Sequence, residues 1–337
     1  MIDMPLWKRG RPAGESPLDP VEALDLHLDR PDPGPPHLRV SLETVLSMQD
    51  SLARQERQLG PDHPEVIRIR ANLAAFYTAL AASGPPGNVM FDRAIALYEE
   101  NLVHGERDRD SDSPGTLNTC QALAIVHFAA GHHEEAIHFF ERAVAGRERV
   151  LGPHDPHTLT SHTGLADAYL AAGRQEQAIR HLEMTVEGSR RTLPRGDEDL
   201  RVRKNKLCNA YHRARRLPEA TALCEEILAD HEFLYGPDHL DTFKMVENRA
   251  NLYHDARDLD AAIAWYQRAL AGLDGILGPD DPETFHCSHN LAIAHLDAGH
   301  PERAVPYLER TYDGRSRAFG PDHEETLQSL SGHLICI

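Results

Sequence analysis

Large and small apolar residues recur in one arrangement along most of the chain. Leu73, Ala74 and Tyr77 return as Leu123, Ala124 and His127, as Leu165, Ala166 and Tyr169, as Leu207, Cys208 and Tyr211, as Arg249, Ala250 and Tyr253, and as Leu291, Ala292 and His295. Residues three and four apart share a helix face, so each set predicts an amphipathic helix, the A helix of a repeating unit. Gly131, Gly173 and Gly299 close three of these helices, where the chain takes a left-handed conformation; Arg215 and Arg257 stand in the same place in two others. A second predicted helix, B, carries Ala94, Ala136, Ala178, Ala220, Ala262 and Ala304, each 42 residues after the last. Alanine held at a fixed period marks a place where two helix backbones come too close for a larger side chain.

The polar stretches between helices repeat as well. "LGPHDPHTL", "YGPDHLDTF", "LGPDDPETF" and "FGPDHEETL" put Gly152, Gly236, Gly278 and Gly320 on the same 42-residue lattice, whose missing point is Pro194 in "LPRGDEDL". "SDSPGTL" fills the slot before them. "LGPDHPEVI" is displaced by eight residues that fall in "AASGPPGNVMFD", a loop insertion predicted over residues 81–92. In each turn Gly-Pro ends helix B, Asp or His caps the next helix A, and Pro64, Pro156 or Pro282 occupies the first turn, where a missing N–H costs nothing. The turn fixes the angle between successive helical pairs, and an array of pairs buries a core that no single pair could bury.

This pattern predicts a repeat array over residues 39–337: a half repeat at 39–59, six full repeats from about 60 to 319, and a partial repeat at 320–337. Residues 1–38 are proline-rich and poorly periodic, which predicts a flexible tail with a short helix near residues 21–28. The final partial repeat leaves Leu327, Leu330, Leu334 and Ile335 without a following helix B, so this end either forms a homodimer or is covered by the tail or by further sequence.

The combination "GPDHPxT", then "NLAxxY", then glycine and "EAI" resembles the 42-residue tetratricopeptide repeats of the kinesin light chain type, over most of the chain. The units "NRANLYHDARDLDAAIAWYQRAL" and "HNLAIAHLDAGHPERAVPYLERT" carry it most clearly. The departures are Ala122, Gly164, Lys206 and Gly332 in the asparagine slot, and the degenerate fourth turn. The resemblance implies an all-α fold, a right-handed α-solenoid of antiparallel helix pairs, whose concave groove is lined by A helices and holds an extended peptide. It also implies that the "NLA" asparagine faces that peptide, which carries over to Asn72, Asn290 and Asn248.

Composition narrows the chemistry. The 337 residues are 41% hydrophobic but only 6% aromatic, which suits packed helices with aliphatic cores. A net charge of -18 argues against nucleic acid, which requires a basic stripe. No apolar run approaches the roughly 20 residues that cross a bilayer, and "MIDMPLWKRGRPAGE" lacks a signal-like apolar region, so no membrane partner and a cytoplasmic location are expected. Cys120, Cys208, Cys224, Cys287 and Cys336 show no CxxC pairing and read as reduced thiols. Heavy use of arginine, alanine and histidine hints at a GC-rich bacterial coding sequence.

Candidate binding residues flank the apolar positions of the A helices: Arg68 and Asn72; Asn205, Lys206, Asn209 and Arg213; Lys244, Asn248 and Asn251; His286 and Asn290. Asn118, Thr160, Asp167, Glu247, Asp255, His289 and Asp297 occupy related positions. An asparagine amide supplies a donor and an acceptor at one point, matching an extended backbone, and Lys206, Arg213 and Lys244 suit a carboxylate. "RVRKNK" and "RARR" between Arg201 and Arg216 form the most basic stretch, readable as an attractor for an acidic segment or as an ordinary charged helix.

Signals for catalysis are weak. In "HHEEAIH" His133 and His138 lie five apart, about 500° around a helix, rather than on the shared face of a zinc HExxH motif. His286 and His289 lack an evident third metal ligand, and neither a GxxxxGK[ST] loop nor a GxSxG elbow is present. The reading that emerges is a non-catalytic scaffold without metal or cofactor, binding an extended acidic peptide of a partner protein. A ligand sensor or enzyme built on His286 and His289, and self-association through the C-terminal helix or through "MIDMPLW" with Asp3, Met4, Leu6 and Trp7, are the alternatives.

Overall fold

The alternating A and B segments are helices in the computed structural model, which describes residues 42–82, 89–107, 112–324 and 326–327. The B helices are α1 (Leu42–Leu59), α3 (Val89–Arg107), α5 (His133–Leu151), α7 (Gln175–Thr192), α9 (Leu217–Tyr235), α11 (Leu259–Ile276) and α13 (Pro301–Phe319). Between them run the A helices α2 (Pro64–Ala82), α4 (Pro114–Ala130), α6 (Pro156–Ala171), α8 (Glu198–Arg213), α10 (Leu240–Asp255) and α12 (Pro282–Asp297). All secondary structure among the described residues is helical, so the fold is an all-α repeat fold. The chain divides into two compact units, one ending at Gly131 and one starting at His132, and within each unit every helix packs on the next.

Three expectations need adjustment or fall elsewhere. The insertion is shorter than 81–92: α2 runs to Ala82, and α3 starts at Val89 because Met90 and Phe91 are buried as its first apolar turn. The tail, with its short helix at 21–28, lies outside the described residues. So do residues 328–337 of the partial repeat, with Leu330, Leu334 and Ile335.

The turn chemistry follows the sequence. Asp155, Asp197 and Asp281 accept from the backbone N–H groups of His157 (2.8 Å), Asp199 (3.0 Å) and Glu283 (2.9 Å), and the His239 ring accepts from Asp241 (3.2 Å). These caps satisfy N–H groups that a first helical turn leaves without partners. The motif's threonine also acquires a reason: Thr242, Thr284 and Thr326 each donate to the carbonyl of the turn glycine six residues earlier, at 2.8 to 2.9 Å. Thus the turn is locked from both sides.

Two kinds of glycine differ in how replaceable they are. Gly236 has φ 88° and ψ 165°, a region open almost only to glycine, and Gly152 and Gly320 match it. Gly131, between A and B, sits at φ 83° and ψ 7°, the left-handed helical region that other residues enter at some cost. Accordingly arginine replaces only the second kind, at Arg215 (φ 61°) and Arg257 (φ 63°).

In the core, all six periodic alanines from Ala94 to Ala304 are fully buried, as close helix approach requires. Glycine does the same within a helix pair: a Cβ on Gly314 would lie 2.1 Å from the Phe285 ring, and one on Gly272 2.3 Å from Phe243. The fourth repeat breaks this device. There the glycine slot holds Asp230, whose buried carboxylate receives Lys204 Nζ at 2.6 Å and Arg195 Nε at 2.9 Å. Burial works to raise the Asp230 pKa, but the two cations outweigh it and hold the carboxyl below 3.8.

Polar groups also meet between B and A helices. Arg147 on α5 donates to Ser161 on α6 at 2.6 Å. One period later the partners are exchanged: Ser189 is on α7, and Arg203 on α8 donates to it. Both arginines and both serines are buried.

Candidate functional site

The A helices of the second unit stand side by side, joined by side chains roughly one period apart. Lys206 on α8 bonds Asp167 on α6, and His212 on α8 bonds Asp255 on α10. Between α10 and α12, Lys244 Nζ lies 2.7 Å from Glu283, His254 Nε2 is 3.1 Å from Asp297, and Arg257 is 2.7 Å from the same carboxylate. Glu247 accepts from the Asn290 amide at 3.2 Å and faces His286 Nδ1 at 3.0 Å. Partner spacings of 39 and 43 residues place one member of each pair on a helix and the other on its next equivalent.

This ladder sorts the candidate residues. Lys206, Lys244, His286 and Asn290 are brought onto one polar face but engage acidic neighbours. Asn251 accepts from the Tyr266 hydroxyl, which ties it to the α10–α11 hairpin. Among the described residues Asn248 reaches only the Met245 sulfur, at 3.6 Å. Asn205, Asn209 and Arg213 follow one another at four-residue intervals on α8, none is buried, and among the described residues they make no side-chain hydrogen bond or ion pair. Arg68 and Asn72 stand exposed on α2 in the first unit, where Arg68 is held by Glu65 within its own helix at 2.5 Å.

The basic stretch is mostly spent internally. Arg203 and Lys204 are buried against Ser189 and Asp230, Lys206 holds Asp167, Arg201 lies over the Tyr235 ring, and Arg216 pairs with Glu219 at 2.9 Å. Of its cations, Arg213 is the one that projects from an A helix without such a partner among the described residues. Asp167, Glu247, Asp255 and Asp297 stand out in the sequence as polar positions, whereas Glu283 does not; the signal for the pairing is an acid and a basic residue 39 or 43 positions apart on successive A helices.

The histidines do not converge. His286 is exposed beside Glu247, whereas His289 is turned into burial that, with Arg315 and His286 nearby, pushes its pKa down to about 4. No group of three metal-ligating side chains occurs among the described residues. A different pair is coupled inside the second unit: His162 Nδ1 and His181 Nδ1 are 2.9 Å apart, and His162 Nε2 is 3.0 Å from Glu148. With Glu148 accepting from Nε2–H, neutral His162 accepts at Nδ1, so His181 donates. Burial lowers both pKa values, that of His181 to about 4. Tyr169 stacks on His181 and donates to Glu141; burial and that carboxylate push the phenol up to about 12.

A recess of about 440 Å³ lies between α7, α8 and α9, lined by Glu183, Arg190, Leu207, Tyr211, Glu219 and Glu226. Its carboxylates are engaged: Glu183 accepts from Tyr211 at 2.7 Å, Glu219 holds Arg216, and Glu226 holds Lys204 and Arg190. No described helix is long and apolar enough to cross a membrane.

The family model described as tetratricopeptide repeat matches residues 90–149, 142–191, 201–272 and 241–317. No curated protein matches the chain. Among solved structures, a kinesin light chain protein of nearly identical TPR-like repeats from P. anserina is 24% identical with TM-score 0.55, covering 61% of this chain and 98% of that one. BtubC (BKLC) from P. vanneervenii is 20% identical with TM-score 0.51, covering 68% and 92%. The C-terminal part of a TPR repeat-containing protein from Cytophaga hutchinsonii is 14% identical with TM-score 0.56, covering 86% and 93%. At these identities the likeness concerns the fold.

Proposed function

The chain belongs to the tetratricopeptide repeat family, and on that premise we propose that it is a non-catalytic cytoplasmic scaffold holding an extended peptide segment of a partner protein along α8 and α10. One observation carries this reading. On a face where most polar side chains are bonded to a neighbouring helix, Asn205, Asn209 and Arg213 form an uncommitted row among the described residues, with Asn248 on the next A helix.

The amides of Asn205, Asn209 and Asn248 match the N–H and C=O groups of an extended chain, and Arg213 can grip a carboxylate with two parallel bonds. Lys206 and Lys244 contribute less directly, since a peptide acid must displace Asp167 or Glu283 to reach them. Acid preference therefore concentrates at Arg213.

The test starts with affinity capture on the full chain and truncation of the recovered partner to a minimal peptide. Titration of that peptide against a variant carrying Asn205→Ala, Asn209→Ala and Arg213→Ala should show a loss of about tenfold or more, with the thermal midpoint unchanged. Equal affinity for the variant and the parent chain would exclude this row as the binding site.

A further inference from the structure

One pair of positions in the core departs from the repeat in both members at once. Where Cys208 stands, the other A helices carry Ala74, Ala124, Ala166, Ala250 and Ala292; where Cys224 stands, the B helices of those same five repeats carry Tyr98, Phe140, Leu182, Tyr266 and Leu308. A small residue facing a large one has become two residues of middle size, each ending in sulfur.

The geometry brings those sulfurs together. Cys208 Sγ donates to the Ala220 carbonyl at 3.4 Å, one helical turn before Cys224, and side chains on a helix lean toward its N-terminus. Cys224, four residues on from Ala220, leans toward that same turn, so the two thiols stand beside each other across the α8–α9 hairpin. Cys208 is 8% exposed and Cys224 is fully buried, so a small reagent meets Cys208 first. The contact divides the roles: hydrogen bonding from Cys224 lowers the Cys208 pKa, and the same bond with burial raises that of Cys224. Cys287 has no such relation; its sulfur faces the Tyr266 carbonyl, and burial pushes its thiol up.

We propose that Cys208 and Cys224 form a reversible thiol–disulfide site, closed by a peroxide, that cross-links α8 to α9. The Cys208 thiolate attacks one peroxide oxygen; the O–O bond breaks, the leaving oxygen departs as hydroxide and takes up a proton, and Cys208 becomes a sulfenic acid. Cys224 sulfur then attacks Cys208 sulfur. The S–S bond forms, the S–O bond breaks, and water leaves with the Cys224 proton. Two thiols are oxidised, and one hydrogen peroxide is reduced to water. The site stands independently of peptide binding, although the helix it tethers carries Asn205, Asn209 and Arg213.

The experiment exposes the folded full chain to hydrogen peroxide at neutral pH, blocks remaining thiols by alkylation and digests it without reductant for mass spectrometry. Expected is a linked pair of peptides carrying Cys208 and Cys224, reversed by dithiothreitol and missing in Cys208→Ala. That substitution installs the residue five other A helices use at this slot, so it should retain the native circular dichroism. Three results would each overturn the proposal: both thiols surviving intact in the folded protein, Cys208 oxidised to a sulfinic acid beside a free Cys224, or either cysteine joined instead to Cys120, Cys287 or Cys336.

Discussion

Lys204 and Asp230 form an ion pair of 2.6 Å in which each side chain is less than 5% exposed. It occupies the slot that glycine fills in neighbouring repeats. Removing Asp230 leaves buried Lys204 with the more exposed Glu226 alone, so Asp230→Ala should cost about 1.5 to 3 kcal/mol in denaturant unfolding. Changing both to the residues of the next repeat, Lys204→Val with Asp230→Gly, should recover most of that loss. Because the folded pKa of Asp230 is depressed below 3.8, its contribution is complete above that pH and is lost as pH falls through the lower folded value.

Arg203 and Ser189 repeat the Arg147 and Ser161 pair with the helices exchanged. Arg203→Ser alone should destabilise by about 1 to 3 kcal/mol, because the Ser189 hydroxyl and the buried space both lose their partner. Adding Ser189→Arg restores the arrangement of the preceding repeat and should return most of the stability. A double-mutant cycle with no coupling between the two sites would refute the pairing.

Arg215 and Gly236 predict opposite responses to one kind of change. Arg215→Gly removes a left-handed strain and should stabilise the chain by about 1 kcal/mol. Gly236→Ala forces a side chain into backbone geometry that only glycine holds comfortably, and should lower stability by about 1 to 3 kcal/mol. Thermal unfolding of the two variants measures both signs.

His181 makes the second unit acid-sensitive. Its pKa is about 4 in the folded protein against 6.5 for the free side chain, so between these values the unfolded chain binds a proton that the native state refuses. Stability should therefore fall as pH drops from 6.5 toward 4. His181→Gln, which keeps a polar side chain near His162 without that titration, should flatten this part of the thermal midpoint profile.

The period, the caps and the close alanine contacts were legible because each depends on a few neighbouring residues, whereas the helix ends at Ala82 and Val89 were not, since burial of Met90 and Phe91 sets where the second helix starts. Ala262 and Asp281 needed no distant knowledge to be placed. The site was legible only as a face. Lys244 and Asn290 were correctly seen as polar positions on A helices, but what occupies them depends on Glu283 and Glu247, which lie on other helices and enter through packing. Composition likewise marked Arg201 to Arg216 as basic without revealing that partners on neighbouring helices and turns consume most of that charge. Asp230 was missed for a related reason: it looks like an ordinary surface acid until the glycine lattice is extended to its position.

The reversed arginine and serine pairs bear on how so repetitive a chain avoids misassembly. Were α5 to dock on α8 in place of α6, Arg147 would meet Arg203, and two guanidinium groups would share one dry cavity. Such a misthreaded intermediate is penalised at once, while correct neighbours satisfy each other. These two junctions thus act as keyed couplings, each helix end carrying the half that fits its own neighbour and clashes with the other's.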